Sequence, residues 1–305
     1  MRKIWAGLAV PALFISACSS GTPRPQASSP SSTPATATEF VKTAPLTKPG
    51  TLTIGTDNPA YPPYFAGGET KAHKQWHFND PYTGKGFEDA VAYEVAKRMG
   101  FSQGQVTWVV APFAQTYKPG PKNYDFAIEQ IDYGPKRARA VDFSDSYYDK
   151  ARAVVARKGT PITKAKSISD LKGFKLASQI GTTDYDFIVN TIQPTKEPGA
   201  YNSLSDAVAA INARQIDGLV VDLPTALYMA DPFVQEVKNS TVVGQFPAQP
   251  GGSHFGMTFQ KGNSLVTCVN LALKEMKADH TLQDITTEWL SQNTNVGTVP
   301  VFSTS

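Results

Sequence analysis

Strand-like and helix-like patterns alternate along residues 51–290, and the alternation occurs twice, which restricts the chain to an α/β architecture. In the first half, Thr51–Thr56 reads as a strand. Phe87–Met99 follows with apolar residues at helical spacing and stops at Gly100, and Val106–Val110 and Tyr124–Ile128 read as further strands. The pattern resumes after Val154–Gly159 with a strand at Phe174–Ser178, helices at Thr182–Ile192 and Leu204–Ala213, and a strand at Gly218–Val221. A strand at Phe255–Phe259, a long helix at Ser264–Lys277 and a last helix at Thr286–Leu290 complete it. The expected body has two lobes, each a mostly parallel sheet flanked by helices. Two crossings join them, with 48–156 as the first part of lobe 1, 157–250 as lobe 2, and 251–305 as the return to lobe 1 with the C-terminal tail.

The N-terminus constrains location. Arg2 and Lys3 precede the apolar run Ile4–Phe14, which is shorter than the roughly 20 residues of a spanning helix, and Ile15-Ser16-Ala17-Cys18 ends in a cysteine preceded by small residues. Residues 1–17 read as a lipoprotein signal, with Cys18 the lipid-accepting first residue of the mature protein on the outer face of a membrane. Residues 18–47 are mostly Ser, Thr, Pro and Ala, too poor in apolar surface to offset ordering, and read as a disordered tether.

Charge excludes one class of partner. Lys and Arg number 29 against 26 Asp and Glu, and two of the basic residues, Arg2 and Lys3, leave with the signal. No basic stripe remains to release counterions from nucleic acid. With Cys18 acylated, Cys268 has no disulfide partner and sits in an apolar helical pattern as a small buried hydrophobe.

Several stretches, in their order and spacing, resemble the extracellular solute-binding proteins of polar amino-acid ABC importers, family 3. They are Gly55-Thr56-Asp57 with Tyr61-Pro62-Pro63-Tyr64, Gly86-Phe87-Glu88-Asp89, Pro135-Lys136-Arg137 with Val141–Tyr148, Gly181-Thr182-Thr183, and Asp217–Asp222. The resemblance implies a periplasmic-binding-protein-like type II clamp, a monomer without cofactor or metal, that captures an amino acid between its lobes and delivers it to permease subunits. It also implies roles for residues. Arg137 matches the arginine that holds the ligand α-carboxylate, a task its paired N–H donors suit, although an arginine beside Lys136 and Arg139 is also at home on a solvated helix. Thr182 and Thr183 stand at a strand-to-helix junction, where free N–H groups with the helix dipole behind them can take the other side of that carboxylate; either can also cap the helix, and the two roles are compatible. Asp222 matches the acid that receives the ligand ammonium, and Asp222-Leu223-Pro224 is equally a helix start. Tyr61 matches an aromatic cover for the ligand, or packs in its turn; Asp57 matches a side-chain contact, or caps the turn before Pro59.

Two departures concern ligand class. Asp132 stands where the family places Ser or Thr, Gly134 replaces a Thr, and Glu129 adds a second acid. If these carboxylates face the cleft they favour a cationic amino acid or an amine without a free carboxylate; strand alternation turns them away in the other reading. His73 and His77 have i, i+4 spacing but no indicated third ligand, so the segment from Ala66 to Thr83 reads as a loop at the cleft rim. An enzyme similar to cyclohexadienyl dehydratases would need a general acid, for which Glu88, Glu129 and Asp132 are available; a ligand-sensing lipoprotein would use the same clamp.

Overall fold

The computed structural model describes residues 36–38, 45–247, 253–291 and 299–304 of the chain. Cys18 and the signal segment lie outside the described residues.

Twelve strands form two five-stranded sheets and a two-stranded hinge among the described residues. They are β1 (Leu52–Thr56), β2 (Val106–Val110), β3 (Phe126–Ala127), β4 (Val141–Phe143), β5 (Tyr148–Asp149), β6 (Arg152–Arg157), β7 (Leu176–Gln179), β8 (Gly199–Tyr201), β9 (Gly218–Asp222), β10 (Ser240–Gln245), β11 (His254–Phe255) and β12 (Thr258–Gln260). The first sheet has the order β2-β1-β3-β12-β4 and the second β10-β6-β9-β7-β8. β1 runs parallel to β2 and β3, with Ile54 opposite both Trp108 and Phe126, and all five of its residues are buried, as a strand covered on both faces requires. β7 is likewise parallel to β8 and β9, while β6, β10 and β12 add antiparallel pairs.

Helices complete each lobe. Phe87–Arg98 carries Glu88 and Asp89 in its first turn and Lys97 and Arg98 in its last, the arrangement its dipole favours. Gly86 precedes it at φ +110°, and a Cβ there would lie 2.4 Å from the Tyr64 carbonyl oxygen. Glycine is therefore required for the backbone of Tyr64-Phe65 to seat on this helix start. In the helix Leu265–Ala278, Cys268 is buried in the core of the first lobe, as the apolar pattern suggested, and burial pushes its thiol pKa up.

Strand pairing moves the expected lobe boundaries. β6 was expected to close lobe 1, but its fully buried Ala153-Val154-Val155-Ala156 pairs with β9 and β10 in the second sheet, so the first crossing runs through β5. The return passes through β11, antiparallel to β5. The tail does not stay with lobe 1 either. Val301 bridges Gln245 of β10, Ser303 bridges Ser167, and Phe302 packs its ring 5.1 Å from that of Phe246, in space left by the missing side chain of Gly244. A buried aromatic ring outweighs sequence proximity here.

The expected tether is ordered in its described parts. Ala37 is buried in the first core and Thr38 donates a 2.8 Å hydrogen bond to the Arg98 carbonyl. The Thr47 N–H donates to Asp125 at 2.6 Å. These short segments satisfy the Arg98 carbonyl at the helix end and the buried Asp125 carboxylate of lobe 1, which composition alone does not reveal.

Candidate functional site

The parallel strands of both sheets end at one cleft, the position where open α/β sheets place ligands. Asp57 follows β1, Glu129 lies two residues past β3, Thr182 follows β7, and Asp222 is the last residue of β9; all four line the cleft. Asp132 lines it too, so strand alternation does not turn this carboxylate away.

Beside the hinge the cleft wall is a charge network whose basic members the sequence reading missed. Lys150, immediately after β5, places Nζ 2.7 Å from Asp132 Oδ2 and 2.6 Å from Asp184 Oδ1. Arg152 donates from Nε to the same Asp184 oxygen at 2.8 Å and reaches Thr183 Oγ1 at 2.9 Å and Ser253 Oγ at 2.6 Å. The Thr183 hydroxyl donates to Asp132 Oδ2. Burial alone would lower the Lys150 pKa, yet Asp132 and Asp184 outweigh it and the net shift is upward, so the ammonium stays charged. Two sequence signals were available: Lys150 and Arg152 share a face at period two, and a buried Asp132 needs a counter-charge.

Across the cleft the carboxyl groups lack such partners. Glu129 is 5 % exposed, and its carboxyl is pushed well above the usual range by burial and by hydrogen-bonded Asp57. Its Oε2 has no hydrogen-bond partner, and neither does Asp132 Oδ1. Glu88 lies fully buried and does not line the cleft. It accepts from the Gln130 N–H at 2.7 Å, from the Gln130 amide and from the Tyr147 hydroxyl, and burial raises its pKa to about 7.

The remaining candidate residues bridge the two lobes. Arg137 donates from one terminal nitrogen to the Asp132 carbonyl at 2.8 Å and from the other to the Gly181 carbonyl at 2.6 Å, with its guanidinium 4.4 Å from the centre of the Tyr117 ring. Both nitrogens thus face protein carbonyls, and Arg137 is not among the residues lining the cavity. Asp222 does two things at once: its carboxylate caps the helix Leu223–Ala230 through the Thr225 N–H at 2.8 Å, and it accepts the Tyr64 hydroxyl from the other lobe at 2.6 Å. Burial raises its pKa and Lys150 opposes the rise. Tyr61 lines the cleft and donates to Glu236 at 2.9 Å across the lobes. Thr182 caps the helix Thr183–Phe187 through the Tyr185 N–H at 3.1 Å. In the rim loop, His73 pairs with Asp80 at 2.7 Å and stacks 3.9 Å from Tyr82, a use that fixes the loop.

Two α/β lobes joined by paired hinge strands, with a cleft between the strand ends, define a type II periplasmic amino-acid-binding-protein fold. The chain belongs to the bacterial extracellular solute-binding proteins, family 3, which match residues 52–292. It is 29 % identical over 174 residues to the ABC transporter arginine-binding protein 1 of Escherichia coli (strain K12), covering 56 % of this chain and 68 % of that one. It is 28 % identical over 256 residues to the L-cystine-binding protein TcyA of Bacillus subtilis (strain 168), covering 82 % and 85 %. An ancestral arginine-binding protein bound to glutamine superposes with a TM-score of 0.63 at 27 % identity, over 80 % of this chain and 100 % of that one. No helix among the described residues is long and apolar enough to cross a membrane.

Proposed function

We propose that this protein is the lipid-anchored substrate-binding component of an ABC importer, capturing a polar or cationic amino acid, or a related amine, between its lobes and delivering it to a membrane permease. One observation carries the ligand class: Asp57, Glu129, Asp132 and Asp222 line the cleft from both lobes. A cation entering such a wall gains counter-charges that water would otherwise have to replace. Family membership and the arginine-, cystine- and glutamine-binding relatives support the transport role. The same acids disfavour a cyclohexadienyl-dehydratase-like activity, because prephenate carries two carboxylates that this wall would repel. Anchoring rests on the signal pattern ending at Cys18.

A thermal-shift screen of the twenty amino acids, polyamines, betaines and prephenate tests the binding role, since a ligand of the folded state stabilises by RT ln(1 + [L]/Kd). Stabilisation by cationic or polar nitrogen compounds is expected; stabilisation by prephenate alone would replace this reading with the enzymatic one. Cys18→Ala is expected to move the protein from the detergent phase to the aqueous phase with ligand binding intact.

A further inference from the structure

In the cleft, the corner that family resemblance assigns to a ligand carboxylate already holds a carboxylate of the protein. That corner comprises Arg137 and the Gly181-Thr182-Thr183 turn. Asp132 sits in it. Its Oδ2 accepts from the Thr183 hydroxyl and from Lys150 Nζ at 2.7 Å, while its own carbonyl takes one terminal nitrogen of Arg137 at 2.8 Å. The other terminal nitrogen of Arg137 is held by the Gly181 carbonyl at 2.6 Å. Lys150, the cation that lines the cavity, meets three acceptors with its three protons: Asp132, Asp184 at 2.6 Å, and Thr183 Oγ1 at 3.4 Å. One N–H of each Arg137 terminal nitrogen and all three of Lys150 are thus already engaged by acceptors of the protein, and an arriving carboxylate would meet Asp132.

Acceptors, by contrast, remain open. Asp132 Oδ1 and Glu129 Oε2 are buried without a hydrogen-bond partner, on residues 3 % and 5 % exposed that line the same cavity. A buried acceptor left unpaired is costly, so such atoms mark where a donor from outside is accommodated. Asp57 and Asp222 add formal negative charge to the wall.

We propose that Asp132 acts as a built-in substitute for the ligand α-carboxylate, so that the cleft selects amines and guanidino-amines lacking a carboxylate over the corresponding amino acids. This inference rests on the reading of the cleft as a solute site and narrows its ligand class. Compounds that present cationic N–H donors at both ends fit the wall, one end toward Glu129 and Asp132 and the other toward Asp222. Selectivity arises by repulsion as well as attraction, because the same Asp132 that satisfies Thr183 and Lys150 opposes a second carboxylate.

Matched pairs differing by one carboxylate provide the test. Calorimetry on the full chain compares agmatine with arginine and cadaverine with lysine in one buffer at one salt concentration. Each decarboxylated member is expected to bind at least tenfold more tightly than its amino acid, and equal or reversed affinities would overturn the inference while leaving the transport reading standing. Binding of cystine or glutamine with neither cationic pair would overturn it in the same way. If none of these compounds binds, both readings fall. Asp132→Ser should shift the agmatine-to-arginine ratio toward arginine at least fivefold, and Asp132→Asn, which keeps the side-chain shape, should shift it in the same direction. The wild-type ratio decides the question even if either variant fails to fold.

Discussion

Beside the hinge, Asp132 and Asp184 share Lys150, and Arg152 adds a second cation to Asp184, over 2.6–2.8 Å, whereas Glu129 and Glu88 on the first lobe pair with no cation among the described residues and Glu88 relies on a tyrosine hydroxyl and amide groups. Asp132, Asp184, Glu129 and Glu88 are all buried, so both groups carry the cost of leaving water. The first group offsets it with cations of the chain. In the second, burial without a paired cation of the chain raises the carboxyl pKa, that of Glu129 well above its ordinary range and that of Glu88 to about 7. An acid already paired contributes shape to the cleft; an acid without a cation of its own is the one an arriving cation can stabilise in its charged form.

The strongest way to break this contrast is Lys150→Met. Removing the ammonium leaves Asp132 and Asp184 short of a buried partner, and the expected loss is about 3–5 kcal/mol of unfolding free energy by denaturant titration. Lys150→Met combined with Asp132→Asn should recover part of that loss. A loss below about 1 kcal/mol would show that the network is solvated and the contrast unreal.

Glu88 gives the next largest effect. Its folded pKa of about 7 lies above the ordinary value of 4.5, so the folded state binds the proton more tightly than the unfolded one. Its stabilising contribution is complete below pH 4.5 and lost as pH rises through about 7, a change of about 3 kcal/mol. Glu88→Gln should remove that part of the pH dependence, seen by comparing denaturation at pH 5 and pH 8. An identical pH profile in wild type and variant would mean that Glu88 is ionised throughout.

Glu129 sharpens the comparison by its ligand linkage. Because burial and the neighbouring Asp57 raise the Glu129 pKa well above its ordinary range, a cation bound beside it should lower that pKa and release a proton, and affinity should rise with pH. Calorimetry with agmatine in two buffers of different ionisation enthalpy measures the release directly, and Glu129→Gln should reduce it. Unchanged proton release in that variant would assign the proton elsewhere. The smallest effect is expected at Tyr61→Phe, which deletes the 2.9 Å bond to Glu236 across the lobes and should cost about 1 kcal/mol in chemical denaturation. A larger loss would make the Tyr61–Glu236 bond a main latch between the lobes.

Local pattern alone determined much of this protein. The helix at Phe87–Arg98, the strands at Val106–Val110 and Gly218–Asp222, and the burial of Cys268 all follow from periodicity within a dozen residues, because a helix or strand must present one apolar face wherever it is placed. The acids and threonines of the cleft were legible for a related reason, since they stand at strand ends and turns that fix their place in an α/β lobe. What the sequence could not decide was partnership. Lys150 lies 18 residues from Asp132 and 34 from Asp184, and Arg137 meets a carbonyl 44 residues away. The pairing of β6 with the second sheet and the docking of Phe302 beside Gly244 are likewise long-range. Charge and apolar surface recorded in sequence state that a partner is needed; only the packing of two lobes against each other determines which partner comes within 3 Å, and so whether a carboxylate is spent inside the protein or left for the ligand.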